Sequence, residues 1–147
     1  MLWGALALFL GSIVSMCLVA RRVFKFVELE EDRVNPTEFA HDLNRAFPRE
    51  VGVHAVLVCA VALFFSPWLL LANAPLIASE ALLISDGSWR VDASRVWTQE
   101  FKRLWKIRVV TAIVLHALCF FCYLANVLAS IRIAAHHKRP WLLTSAQ

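Results

Sequence analysis

Three long apolar blocks separated by charged stretches dominate the pattern of this chain. Residues 1–20 carry no charge, residues 51–85 carry one acid, Glu80, and residues 109–131 carry none. Twenty residues of helix span about 30 Å, the thickness of a bilayer's hydrocarbon core. The first and last blocks therefore each predict one membrane-crossing helix. As a single helix the middle block would be about 50 Å long, too long for that core. Pro67 lies near its middle, and a proline removes a backbone donor and clashes with the preceding turn. A break near Ser66-Pro67 divides the block into two short spans. The expectation is an all-α integral membrane protein with four transmembrane helices at about 1–20, 51–66, 68–84 and 109–131, the second and third short and Pro-broken. Connecting loops fall at 21–50 and 85–108 with a tail at 132–147, all in a single membrane domain, 1–147.

Composition agrees. Hydrophobic residues make up 60% of the 147 and charged residues 18%, with a mean hydropathy of +0.63; these values exclude a soluble globular domain. The net charge of +4 raises nucleic acid as a partner, but the basic residues flank the spans and form no separate domain. Six Lys or Arg fall in 21–50, six in 85–108 and three in the tail. Four spans place twelve of these on one side of the membrane, whereas three spans divide them nine to six. The positive-inside rule thus favours four spans, both loops cytosolic and both termini luminal or extracellular. Arg21, Arg22 and Lys25 follow the first apolar run instead of preceding it, the arrangement of an uncleaved anchor and not of a signal peptide.

Within the first loop, Asn35 is suited to cap a helix, Pro36 to its first position and Glu38 to its third. Phe39, Leu43 and Phe47 then recur about every fourth residue, predicting a short amphipathic helix stopped by Pro48. The second loop opens on the turn signal Asp86-Gly87-Ser88. Trp97, Phe101, Leu104 and Trp105 follow at helical spacing among Lys102, Arg103, Lys106 and Arg108, suited to a headgroup region and to continuation into the last span.

Candidate chemistry is sparse. His54, Asn73, Glu80, His116 and Asn126 lie in apolar surroundings, where polar groups tend to face another helix or a cavity. Interhelical bonding, or headgroup contact for Glu80, is the simpler reading. A proton-coupled carrier or small membrane enzyme built on His54, Glu80 and His116 is the alternative, although no internal repeat supports a transporter. Cys17, Cys59, Cys119 and Cys122 all sit in apolar segments, so no disulfide framework is expected, and the Cys119/Cys122 pair has no second pair to complete a metal site. His136-His137-Lys138-Arg139 reads as a solvated basic end. Neither a zinc-protease, nucleophile-elbow nor phosphate-loop motif occurs. No enzyme activity, cofactor or metal is expected.

The stretch Phe26-Val-Glu28-Leu29-Glu-Glu-Asp32-Arg-Val-Asn35-Pro36 resembles the signature of the cornichon family, F-x-E-L-x-x-D-x-x-N-P. The likeness continues through Leu43-Asn44, Glu50, His54 and Asn73-Ala-Pro75-Leu76, and the order of apolar spans agrees over nearly the whole chain. Ala40 and Arg49 depart from the cysteine and proline common in the family. The resemblance implies a cargo receptor of the endoplasmic reticulum membrane. It would bind transmembrane clients, engage COPII inner coat subunits and cycle to the Golgi in COPII vesicles. The resemblance implies as an alternative an auxiliary subunit of an ion channel such as a glutamate receptor. The partners so implied are the lipid bilayer, cargo and coat, with no nucleic acid. Fungal members carry a coat-binding segment before the last span. Its place here is about 92–96, without a clear match in residues, so a coat-facing role for Arg95, Val96 and Trp97 follows from family and position alone.

Overall fold

The computed structural model describes residues 2–63 and 67–137, side chains at 136 and 137 apart. It contains four α-helices: α1 Leu2–Glu30, α2 Pro36–Leu63, α3 Pro67–Ser85 and α4 Gln99–His137, with a single 3-10 turn at Ala93–Arg95. All four are long and apolar enough to cross a membrane, and no strand occurs among the described residues. The expected break near Ser66-Pro67 falls at 64–66, outside the described residues, as do the tail beyond 137 and with it Lys138 and Arg139 of the basic patch.

Most of what the charge pattern marks as loop is helix. α1 runs on through Arg21, Arg22 and Lys25 to Glu30, and α4 begins ten residues before Val109. The two connections near the charged end shrink to 31–35 and 86–98. Continuation is favourable because the charged turns bury one face. Arg22, Phe26 and Leu29 are buried on α1, as are Trp105 and Val109 on α4.

α2 corrects a second expectation. Pro48 does not stop it; the helix continues from Pro36 to Leu63 with Pro48 inside. Proline in a helix interior costs about 3 kcal/mol or more. Here Phe39, Leu43, Phe47, Glu50, His54, Leu57 and Val61 form one buried stripe that crosses the proline without changing phase. Packing on both sides of Pro48 holds the helix in register and offsets that cost. Pro75 likewise lies inside α3.

α1 packs most extensively against α4 and next against α2, while α3 leans on α4 and α2. α1 and α2 approach closely at Gly11, where an added Cβ would displace the end of the Leu57 side chain. α3 is the most peripheral helix: only Leu69, Asn73 and Leu76 of its 19 residues are buried. The core divides in two. One cluster, within the apolar spans, joins Leu8, Leu57, Val61, Leu69, Leu76, Cys119 and Tyr123. Cys119 is buried in this cluster. The other cluster closes the charged end with Phe26, Leu29, Phe39, Leu43, Val91, Val96 and Trp105.

Candidate functional site

The signature residues build the charged end of the bundle, each through a local rule. α1 ends in a doubly bonded C-cap: the Arg33 N–H donates to Glu28 O at 2.8 Å and the Asp32 N–H to Leu29 O at 3.2 Å. That cap needs a residue in the left-handed region, and Asp32 supplies it with φ 55°. Glycine is the usual occupant, and an aspartate accepts the position at some cost. Asn35 then caps α2, its Oδ1 accepting from the Thr37 N–H at 3.0 Å while its carbonyl accepts from the Phe39 N–H at 2.9 Å. Pro36 occupies the first turn, where the missing N–H is not wanted. Phe26 and Leu29 are buried, Phe26 against Phe39 with ring centroids 6.5 Å apart. Glu28 is half-buried and pairs with Lys25, which also reaches Asp42 on α2.

Asn44 ties this corner to the second connection. Its Nδ2 donates to Val91 O at 2.9 Å and its Oδ1 accepts from the Val91 N–H at 2.7 Å, so one side chain copies the pairing of a backbone strand. Val91 and Val96 are buried in the same cluster, which pins the segment between them. Asp92 starts the 3-10 turn and accepts from the Ser94 N–H and hydroxyl at 2.9 and 2.8 Å. Those hydrogen bonds, with help from Arg95, hold the Asp92 carboxyl below its ordinary value. Among the three residues assigned to a coat, Arg95 is exposed and Trp97 is 46% exposed with Lys102 over its ring. Val96 is wholly buried, so its side chain is an anchor and not available to a partner.

Further along, charged groups lie in pairs. Arg22 of α1 meets Glu50 of α2, with Nη2 2.6 Å and Nε 2.7 Å from Oε2, and Arg22 also stacks on Phe47. Glu50 is 2% exposed, and such a pair tolerates loss of neither partner. One helical turn on, His54 Nδ1 lies 2.7 Å from Glu80 Oε2 of α3 and His54 Nε2 lies 3.2 Å from Asn73 Oδ1. Asn73 Nδ2 donates to Leu69 O at 2.6 Å and to the Tyr123 hydroxyl of α4 at 3.0 Å, which fixes the amide's orientation. Both ring nitrogens of His54 therefore face side-chain oxygens. His116 sits with its ring 6.1 Å from that of His54 and donates from Nδ1 to Ala112 O at 2.8 Å.

His54, Asn73 and Glu80 are thus brought into one network joining α2, α3 and α4. The signature residues form a second region, and Arg95 and Trp97 an exposed rim beside it. Three participants went unrecognised in the sequence. Tyr123 is the only tyrosine of the chain, and its placement in an apolar span was a signal. In the sequence Arg22 reads only as a topological charge, and Asn44 only as part of the family resemblance. No group of three or more His, Cys, Asp or Glu able to hold a metal occurs among the described residues.

Comparison with protein families finds that the model described as Cornichon protein matches residues 1–125. A search of curated proteins returned no match, and a search of solved structures returned none either.

Proposed function

The chain belongs to the cornichon family, and on that premise we propose that it is a cargo receptor. It would bind transmembrane clients in the endoplasmic reticulum membrane and promote their COPII-dependent export. The family match over residues 1–125 carries this reading. Two features of the fold support it physically. α3 leaves most of its surface unpacked, and lipid supplies no hydrophobic drive between helices, so clients would associate by close packing and a few polar contacts. At the charged end, the segment from Val91 to Trp97 is held firmly on α2 while Arg95 and Trp97 project from it. That is a fixed platform on which inner coat subunits can dock.

The mechanism is adaptor coupling of two binding events, with no chemistry. Both loops face the cytosol and both termini the lumen, and the protein cycles to the Golgi with its cargo. The His54–Glu80–Asn73–Tyr123 network serves this role by locking three helices together. Its polar side chains bond to one another across the three helices, which suits a structural lock.

Acute depletion followed by surface proteomics tests the proposal. Retention of a discrete set of membrane proteins in the endoplasmic reticulum, reversed by re-expression, is the expected result. Unchanged export would overturn it. Altered gating of a co-purified channel with unchanged export would assign the auxiliary-subunit role instead.

A further inference from the structure

Two cavities adjoin at the charged end and share Ser88, Trp105 and Arg108 in their walls. The outer one has a volume of about 250 Å³ and adds Arg90, Arg95, Asp92 and Glu100. The inner one is only about 20 Å³, little more than room for a water, and is lined by Leu43, Phe47, Leu83 and Val109 together with Arg22. The outer cleft is therefore basic at its mouth and closes inward on tightly packed side chains.

Its charges do not cancel internally. Asp92 is engaged by Ser94, and Glu100 faces Arg95 at 3.9 Å. Arg90 lies over the Trp89 ring and has no acidic partner among the described residues. Arg108 spends one N–H on Ser88 O at 2.7 Å and has no carboxylate among the described residues. Trp105 is 7% exposed, and its indole N–H is buried without an acceptor. Two guanidinium groups beside one cleft lack an anionic acceptor. The aromatic and basic residues around it are those of a membrane–water interface.

We propose that this cleft binds the phosphate of an anionic phospholipid, held by Arg90 and Arg108 with the Ser88 hydroxyl alongside, while the acyl chains stay in the surrounding bilayer. Zwitterionic headgroups are disfavoured because their ammonium would meet Arg90 and Arg95. The bound lipid would bridge the 86–98 connection to α4 directly beneath the exposed Arg95 and Trp97. This site depends on neither cargo nor coat.

The test uses the full chain purified in neutral detergent, with thermal unfolding followed by tryptophan fluorescence. Dioctanoyl phosphatidylinositol, dioctanoyl phosphatidylcholine and inorganic phosphate are titrated separately. Phosphatidylinositol should raise the midpoint saturably, at concentrations where the other two do nothing. Arg90→Gln and Arg108→Gln should each weaken its apparent affinity about ten- to hundredfold, as loss of a charge-assisted hydrogen bond does. Arg103→Gln, outside the cleft, should not. Arg90→Gln is the most informative variant, because Arg90 has no acidic partner among the described residues and gives up only its contact with the Trp89 ring. Equal stabilisation by phosphatidylcholine or by phosphate alone, no stabilisation by phosphatidylinositol, or full affinity in Arg90→Gln would each overturn the proposal.

Discussion

Asn44→Ala removes both hydrogen bonds that hold Val91, at 2.7 and 2.9 Å, and touches nothing else of comparable strength. Each bond contributes about 0.5–1.5 kcal/mol net, and a buried group left unpaired costs about 1–3 kcal/mol. Val91 is buried, but the connection around it borders solvent, so water recovers part of the loss. About 2 kcal/mol of local stability should disappear, which is roughly a thirtyfold increase in the open fraction. Hydrogen–deuterium exchange of the full chain in detergent reads this directly, peptide by peptide. Amides of 88–98 should exchange about thirtyfold faster, while those of α1 and the second half of α2 stay unchanged. Asn44→Asp should be nearly as damaging, because its second oxygen would face the Val91 carbonyl. Exchange altered by less than about threefold in 88–98, in a folded protein, would refute the claim that Asn44 holds the segment.

Glu50→Leu strands the buried Arg22 and should cost about 3–5 kcal/mol, whereas Arg22→Leu combined with Glu50→Leu should be much milder; thermal unfolding of the two variants decides. Asp32→Gly relieves the left-handed backbone at φ 55° and should raise the unfolding midpoint, by about 0.5–1 kcal/mol in stability. If export of clients falls in that same stabilised variant, the Asp32 carboxylate has a role beyond the cap. Asp92 has a lowered pKa in the folded chain, so its contribution is whole above the ordinary value of 3.8 and is lost as pH falls through the lowered one. The Ser94 amide resonance should accordingly hold steady down to about pH 4 and titrate only below it.

The apolar blocks made the four helices legible, because length and lack of charge alone satisfy the bilayer's demand. Their ends were less legible. Charge suggested that α1 should finish near Ala20, but burial of Arg22, Phe26 and Leu29 carries the helix ten residues further. At Pro48 two signals competed, the proline's local cost and the phase of the stripe from Phe39 to Val61. The stripe was there to be read, and tertiary packing let it win. The polar network was half legible. Isolation in apolar sequence singled out His54, Asn73 and Glu80, yet nothing local could pair Asn73 with a tyrosine fifty residues away. Arg22 and Glu50, 28 residues apart, were hidden for the same reason.

The unbroken passage of α2 through Pro48 has a mechanical consequence. Asn44 and His54 are ten positions apart, about 15 Å along one continuous helix. Such a rod transmits rotation. A tilt of about 10° around His54 displaces Asn44 by roughly 2.5 Å, and Asn44 grips Val91 on both sides of its peptide backbone. The segment bearing Arg95 and Trp97 must then travel with it or break that grip. A stoppage at Pro48 would have made a hinge there and left the two ends free to move apart; continuity makes α2 a lever whose far arm is the exposed rim.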